Sequence, residues 1–348
     1  MSNVEAAGTR QPAAAIFGCI GTTLTDEEEA FFAETDPLGF ILFARNCRNP
    51  AQVAALVGAL RQTVDRPDAP VLIDQEGGRV ARLRPPNWYG APPAAVFGAL
   101  AESGPDAAAE AARLNARLIA ADLAALGIDV DCAPVLDVPV AGAHDIIGDR
   151  AFCRSPEAVA MLGRAACEGF LDGGVLPVIK HVPGHGRARS DSHLDLPVVE
   201  ASLDELRSAD FLPFRALADM PLAMTAHVVY TALDPDRPAT LSPRVIADVI
   251  RGEIGFSGVL ISDDIGMGAL GGPFDMRAAA ALDAGCDVVL HCSGRLDEMR
   301  EVAGGLRPLD STPARRMAER GAVPPGFDRA RAAERLSALL AQAPVSSP

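Results

Sequence analysis

The stretch Val259-Leu-Ile-Ser-Asp-Asp264 is a short apolar run that ends on two carboxylates. Unpaired charge is costly to bury, so a strand with this ending is expected to open onto a polar site. Seven further apolar runs occur along the chain, separated by longer amphipathic segments. In chain order, the eight candidate strands span residues 14–19, 40–43, 71–74, 130–135, 176–179, 222–225, 259–262 and 288–290.

Several of the segments between these strands begin with helix-capping residues. Thr25-x-x-Glu28 and Ser202-x-x-Glu205 have the form of capping boxes, in which two side chains satisfy free amides of the first turn. A cap residue precedes a proline in the pairs Asn49-Pro50, Ser155-Pro156 and Ser242-Pro243. Because parallel strands need crossover connections, eight strands that alternate with helices predict an α/β fold, a single (β/α)8 TIM-type barrel. An open doubly wound sheet is disfavoured, since no G-x-G-x-x-G follows the first strand.

The chain is expected to form one domain. A barrel of this class takes about 250 residues plus insertions, and the chain has 348 residues with no Ser/Pro-rich linker and no internal repeat. Residues 84–98, rich in Pro and Gly, are predicted to be a long loop after the third strand. We therefore expect a single domain over residues 1–348, with a barrel core over about 14–308 and C-terminal helices over 309–348.

Composition excludes several classes of protein. The chain is 49% hydrophobic with a mean hydropathy of +0.17, which is too apolar for a disordered protein. No apolar stretch reaches the roughly 18 residues of a membrane-spanning helix, so no membrane partner is expected. The net charge of −15 argues against a nucleic-acid partner. Seven scattered cysteines without a C-x-x-C motif and the lack of a recognisable secretory signal predict a cytoplasmic location. Nothing in the sequence indicates an oligomeric state.

The strand ends carry the residues that bear chemistry. In a barrel, the loops that follow the carboxyl ends of the strands build the active site. These predicted ends hold Asp74, Asp137, Lys180-His181, His227, Asp263-Asp264 and His291. Lys180 is the only lysine of the chain, whose Lys and Arg residues together number 31. The distribution predicts a polar site on that face, but it does not identify the reaction.

The densest polar segment spans residues 180–193 and includes three histidines and Asp191. His181, His185, Asp191 and His193 are candidate metal ligands, as in metal-dependent barrel hydrolases. Alternatively, Asp191 and His193 form a pair in which the carboxylate orients the imidazole for proton transfer. A third interpretation is that these residues only rigidify the loop.

Two acidic groups at other strand ends are also candidates. Asp263 is a candidate nucleophile or metal ligand, whereas Asp264 fits a helix cap better, although spacing alone does not decide which of them faces inward. Asp74 is well suited to bind vicinal hydroxyls of a sugar. The alternative in this region is a structural ion pair between Glu76 and a nearby arginine such as Arg79.

Four motifs resemble those of glycoside hydrolase family 3, in the same order along the chain. They are IDQEGGRVARL at 73–83, APVLDV at 133–138 with IIGDRAF at 146–152, KHVPGHG-x4-DSH at 180–193 and LISDDIGM at 260–267. The resemblance extends over residues 14–292 and is closest to the single-domain bacterial β-N-acetylglucosaminidases of that family. Two departures are mild: Val182 stands where an aromatic residue is usual, and Ala151 where Ser is frequent.

The resemblance implies a role for each motif residue. Asp263 would be the catalytic nucleophile, His193 the general acid/base and Asp191 its partner. Five residues would bind the N-acetylglucosamine (GlcNAc) unit: Asp74, Arg82, Arg150, Lys180 and His181. The implied reaction is retaining hydrolysis without a metal or other cofactor, through a covalent glycosyl–enzyme. The implied substrate is a small soluble peptidoglycan fragment such as GlcNAc-1,6-anhydro-MurNAc, with or without its peptide, in cell-wall recycling.

Other interpretations remain open from the sequence. Arg187 and Arg189 near the dyad leave phosphate open as the acceptor, which would make the protein a phosphorylase. A metal-dependent hydrolase would be expected to carry H-x-H at the first strand, and residues 17–20 offer none. A noncatalytic sugar-binding protein would tolerate loss of Asp263. We also expect Gly184 and Gly186 to act as hinges that let the dyad loop move.

Overall fold

Eight parallel strands close into a barrel in this computed structural model, which describes residues 11–192, 195–318 and 326–342. Each strand pairs with the next along the chain, and the last strand pairs with the first, with Phe17 beside His291. The strands are β1 (Ala13–Gly18), β2 (Pro37–Leu42), β3 (Val71–Ile73), β4 (Val130–Asp131), β5 (Leu176–Val182), β6 (Leu222–Thr225), β7 (Val259–Asp264) and β8 (Val288–His291). The predicted (β/α)8 TIM-type barrel is confirmed.

Helices follow the strands and cover the outside of the barrel. They are α1 (Asp26–Thr35), α2 (Pro50–Thr63), α3 (Ala95–Ala101), α4 (Pro105–Leu126), α5 (Pro156–Asp172), α6 (Leu203–Glu205), α7 (Phe211–Ala216), α8 (Phe274–Ala284), α9 (Leu296–Ala303), α10 (Ser311–Ala318) and α11 (Arg329–Leu340), with π-helical segments at Leu206–Asp210 and Val245–Glu253. Among the described helices, none has both the length and the apolar character needed to cross a bilayer.

Local sequence signals set the helix starts. Both predicted capping boxes form: Thr25 Oγ1 accepts from the Glu28 N–H at 3.2 Å, and the Glu28 carboxylate accepts from the Thr25 N–H at 3.0 Å. Asn49 and Ser155 cap α2 and α5 as predicted. The predicted loop 84–98 is interrupted by α3, which begins at Ala95.

Strand β5 is longer than predicted, and its extension places Lys180 and His181 inside the barrel. The predicted strand 176–179 continues through Lys180 and His181 to Val182, and all seven residues are buried. Lys180 and His181 can be buried in the strand because both side chains have carboxylate partners, which offset the cost of burial. Strand β4 is shorter than the predicted 130–135, since Pro134 has no N–H to donate, although Leu136 N–H still donates to the Lys180 carbonyl at 2.7 Å.

Pairing register shifts at two strand ends that carry predicted site residues. The register between β5 and β6 changes between Lys180 and Val182, and the register between β7 and β8 changes between Ile261 and Asp264. Such irregularities alter the direction of side chains and are frequent next to active sites. In this barrel they fall at Lys180-His181 and at Asp263.

Candidate active site

The carboxyl ends of the strands surround a cavity of about 540 Å³. Six of the predicted residues line it together: Asp74, Arg82, Arg150, Lys180, His181 and Asp263. Asp191 does not line the cavity, but its neighbour Ser192 does. His193 lies outside the described residues. A larger depression of about 970 Å³ lies between α1 and α9 beside the start of β1, away from these strand ends.

One wall of the cavity is a chain of alternating charges. Lys180 Nζ lies 2.9 Å from Asp74 Oδ1 and 2.7 Å from Glu76 Oε1. Asp74 Oδ2 also accepts from Arg82 Nη2 at 3.0 Å. The two oxygens of Glu76 accept from Arg150 Nε and Nη2, each at 2.8 Å. The order is therefore Arg82, Asp74, Lys180, Glu76 and Arg150, in which three cations hold two carboxylates.

Mutual attraction keeps Asp74, Glu76 and Lys180 charged despite burial. Burial would raise the pKa of Asp74, but Lys180 and Arg82 hold it well below its usual range. The pKa of Glu76 is lowered in the same way, against burial, by Lys180 and Arg150. Burial would lower the pKa of Lys180, yet the two carboxylates raise it above its usual value. A rigid charged wall of this kind presents fixed donors and acceptors to a polar ligand.

Asp137 organises the next part of the wall. Its side chain is fully buried, and its Oδ2 lies 2.7 Å from His181 Nδ1. Its Oδ1 accepts from the backbone N–H of His181 at 3.2 Å and of His185 at 2.6 Å. Burial opposes ionisation, but His181 and these bonds lower the pKa of Asp137 to about 2. The carboxylate therefore fixes the orientation of the His181 ring through Nδ1.

Asp263 and Asp264 differ in environment although both line the cavity. Burial would raise the pKa of Asp263, but His227, His181 and the Asp264 N–H, which donates to Oδ1 at 2.8 Å, lower it. Burial raises the pKa of Asp264 to about 6, although its Oδ1 accepts from the N–H groups of Gly266 and Cys292. Neighbouring carboxyls with separated pKa values suit different roles, and of these two Asp263 has the lower pKa.

A buried hydrogen-bond network holds the end of β7. His227 Nε2 lies 3.0 Å from the Asp264 carbonyl oxygen, and its Nδ1 lies 2.7 Å from Thr240 Oγ1. Thr240 Oγ1 lies 2.7 Å from Thr225 Oγ1, which accepts from the Asp263 N–H at 3.4 Å. Burial lowers the pKa of His227, so the ring is neutral near pH 7. The backbone on both sides of the Asp263 side chain is thereby fixed.

Glu76 forms the predicted ion pair with an arginine, but its partner is Arg150 and not Arg79, and no role in the site was predicted for it. Arg79 instead lies 3.3 Å from Asp145 and 3.1 Å from Asp149, and it donates to backbone carbonyls of the same loop. Glu76 follows Asp74 by two residues, a spacing that places both on one side of an extended chain. That spacing was the available signal for Glu76. The network around His227 had no such signal, because its partners Thr225, Thr240 and Asp264 come from two strands and a short helical turn that are separate along the chain.

Arg187 is also placed differently from the sequence-based suggestion of an acceptor site. Its Nε lies 2.6 Å from Asp210 Oδ2, and it does not line the cavity. Among the described residues, no three His, Cys, Asp or Glu side chains lie close enough together to hold a metal ion. Asp137 binds the ring of His181 and the backbone N–H of His185. His193, the third predicted histidine ligand, lies outside the described residues.

Comparison with known proteins agrees with this geometry. Residues 15–319 match the family model described as the Glycosyl hydrolase family 3 N terminal domain. The chain is 43% identical over 282 residues to a β-hexosaminidase of Alkalilimnicola ehrlichii, covering 80% of each protein. It is 40% identical over 318 residues to a β-hexosaminidase of Stenotrophomonas maltophilia, covering 90% of this chain and 92% of that one.

A solved structure is similar over nearly the whole chain. NagZ from Neisseria gonorrhoeae, in complex with N-trifluoroacetyl-D-glucosamine, matches with a TM-score of 0.84 at 33% identity. The match covers 96% of this chain and 99% of that one.

The fold and the charged cavity define the class of (β/α)8-barrel proteins that carry a polar site at the carboxyl ends of their strands. With the relatives above, the class narrows to glycosidases that act on N-acetylhexosamines. The chain belongs to glycosyl hydrolase family 3.

Proposed function

We propose that this enzyme is a retaining exo-β-N-acetylglucosaminidase, in which Asp263 is the nucleophile and His193, paired with Asp191, is the general acid/base. The observation that carries the proposal is the ionised Asp263 beside a cavity whose wall is a fixed chain of charges. His193 is assigned from the family motif.

The proposed reaction has two steps. An Asp263 carboxylate oxygen attacks the anomeric carbon while the bond from that carbon to the leaving oxygen breaks, and the His193 imidazolium protonates the leaving oxygen. His193 then takes a proton from water, which attacks the same carbon and releases Asp263 with retained configuration. An imidazole, with a pKa of about 6.5, changes role near neutral pH without the burial that a glutamic acid would need.

We propose that the charged wall binds the GlcNAc unit. Asp74, Arg82, Arg150, Lys180 and His181 offer both donors and acceptors at fixed positions, as recognition of a sugar requires. The proposed substrate is a small soluble peptidoglycan fragment such as GlcNAc-1,6-anhydro-MurNAc, cleaved in the cytoplasm during cell-wall recycling. No observation on the described residues favours phosphate as the acceptor, since Arg187 is paired with Asp210.

The first test replaces the nucleophile. Asp263→Asn is expected to lower kcat/KM on 4-nitrophenyl-β-GlcNAc by about a thousandfold or more, because the covalent step is lost. Incubation of the parent enzyme with a fluorinated GlcNAc donor should leave a sugar adduct on Asp263, detectable by peptide mass spectrometry. Full activity of Asp263→Asn, or an adduct on another residue, would contradict the proposal.

Cleavage of 4-nitrophenyl-β-GlcNAc and related glycosides also tests whether water or phosphate is the acceptor and whether His193 is the acid/base. Reactions with and without inorganic phosphate should both yield GlcNAc of β configuration at first, whereas GlcNAc-1-phosphate would identify a phosphorylase. His193→Ala is expected to slow cleavage of poor leaving groups by about 10²–10⁴-fold, the usual contribution of a general acid. Unchanged cleavage of such substrates would exclude His193 from that role.

A further inference from the structure

The loop that carries Asp191 is anchored at its first half. We call residues 184–188 the loop stem. The Gly184 carbonyl accepts from Tyr230 Oη at 2.7 Å, and the His185 N–H donates to Asp137 Oδ1 at 2.6 Å. The Ala188 carbonyl accepts from the His144 N–H at 2.8 Å. The stem is therefore bonded to three separate parts of the barrel face.

The glycines of the stem serve close packing. A Cβ on Gly184 would lie 2.8 Å from the Asp210 Cβ, and a Cβ on Gly186 would lie 2.1 Å from the Val138 carbonyl oxygen. Side chains at these positions would force the stem away from its neighbours. The structure thus gives both glycines a packing reason, and their role as hinges stays a prediction.

Arg187 adds a buried ion pair to the stem. Its Nε lies 2.6 Å from Oδ2 of Asp210, which is only 1% exposed and ends the π-helical segment Leu206–Asp210. Asp210 Oδ1 is buried, with no hydrogen-bond partner in the described part of the chain. Burial raises the pKa of Asp210 to about 6, and Arg187 is the partner that opposes this rise. Loss of one member of a buried pair is costly, so Arg187 ties the stem firmly to the helix.

The far side of the loop is attached to the loop that follows the nucleophile. The Ser192 carbonyl accepts from the Ala269 N–H at 3.2 Å, and Ser192 Oγ lies 3.3 Å from His185 Nε2. Ser192 also lines the cavity. The segment around Asp191 is thus held between the stem and the loop after Asp263, and Arg187 lies only four residues before Asp191.

We propose that Arg187 is a positioning residue, which acts through Asp210 to hold the acid/base dyad in place for proton donation to the leaving group. The inference rests on the proposed function, since it takes Asp191 and His193 as the dyad. Misplacement of a catalytic group by about 1 Å is enough to slow a reaction by up to 10²-fold. Loss of Arg187 should therefore slow the reaction only where leaving-group protonation matters.

The experiment measures kcat/KM for aryl β-GlcNAc substrates whose leaving groups range from 2,4-dinitrophenol to phenol. Arg187→Gln is expected to lose about tenfold on the phenyl glycoside, within the contribution of a general acid. On the 2,4-dinitrophenyl glycoside it should stay within about twofold of the parent enzyme, because that leaving group departs without a proton. Arg207→Gln is the matched control. Arg207 lies on the same helical segment as Asp210, and the substitution breaks its pair with Glu253 at the surface.

A second variant separates positioning from stability. Arg187→Gln leaves the Asp210 carboxylate buried without its partner, and Asp210→Asn in the same chain removes that charge. The double variant should regain thermal stability but keep the steeper dependence on leaving group. Equal losses on every substrate, or a parent-like dependence in the double variant, would overturn the inference. Failure of the parent enzyme to cleave any of these glycosides would contradict the proposed function itself, and this inference with it.

Discussion

At the scale of single residues, Lys180 links the two carboxylates of the charged wall. All other cationic residues of the chain are arginine, yet this position holds a compact ammonium between two carboxylates. Its side chain is 2% exposed. An arginine is planar and longer, and it binds carboxylates through a fork rather than from a point between them. The geometry explains why the exception to arginine occurs here.

Lys180→Arg is expected to lower kcat/KM on 4-nitrophenyl-β-GlcNAc by about 10²-fold, because displaced carboxylates misplace the sugar. It should also lower the melting temperature, since overpacking a buried site typically costs about 1–3 kcal/mol. Arg164→Lys, at the exposed pair with Asp219, is the control for an exchange of cations. Parent-like turnover and melting in Lys180→Arg would show that the ammonium has no special role.

At the scale of elements, the ends of β6 and β7 are joined through His227. The ring donates to the Asp264 carbonyl, and the network through Thr240 and Thr225 reaches the Asp263 N–H. His227 is fully buried and does not line the cavity, so it acts on Asp263 through these bonds and through its electrostatic effect on the pKa of that carboxyl. The register shift in β7 falls at the same point. This arrangement holds Asp263 at the strand end.

Replacing His227 in two ways tests this link. The amide nitrogen of His227→Gln reaches a position near the ring Nε2 and keeps a donor for the Asp264 carbonyl, whereas His227→Leu leaves that carbonyl unsatisfied. An unsatisfied buried group costs about 1–3 kcal/mol. We expect the leucine variant to lose about tenfold or more in kcat, with KM little changed, and the glutamine variant to retain most of it. Equal losses in both variants would exclude the hydrogen bond as the cause.

At the scale of the whole molecule, two buried carboxyls make the free energy of unfolding depend on pH in opposite directions. The pKa of Asp137 is lowered to about 2, so its contribution is present above pH 4 and is lost as pH falls through 2. Asp131 is fully buried, and burial raises its pKa to about 8. Its contribution is therefore present below about pH 4 and is lost as pH rises through 8.

Asp131→Asn isolates the second effect. Asparagine keeps an acceptor for the Gln75 N–H, which donates to Asp131 Oδ1 at 2.9 Å, but it does not ionise. The free energy of unfolding of the variant should gain on that of the parent between pH 5 and pH 8, by at most about 1.4 kcal/mol per pH unit. Urea unfolding at a series of pH values measures the difference. Asp283→Asn, at a carboxylate whose side chain is 77% exposed, is the control. A difference that does not grow with pH would mean that Asp131 is ionised in the fold.

Much of the fold and part of the site follow from local pattern. The eight apolar runs, their alternation with helices and the capping residues such as Thr25 and Ser202 predicted the barrel, because periodicity and capping act over a few residues. Strand ends were less accurate, since β5 continues through Lys180 only because its charge partners come from elsewhere in the chain.

The barrel, the order of its strands and most of the polar residues at their carboxyl ends follow from sequence patterns alone. The tertiary structure decided which groups meet: Glu76 with Arg150 and Lys180 rather than Arg79, Arg187 with Asp210, and His227 with the end of β7. The reason is physical. Local patterns depend on neighbours along the chain, whereas Glu76 lies 74 residues from Arg150, and only closure of the barrel brings such groups within hydrogen-bond distance.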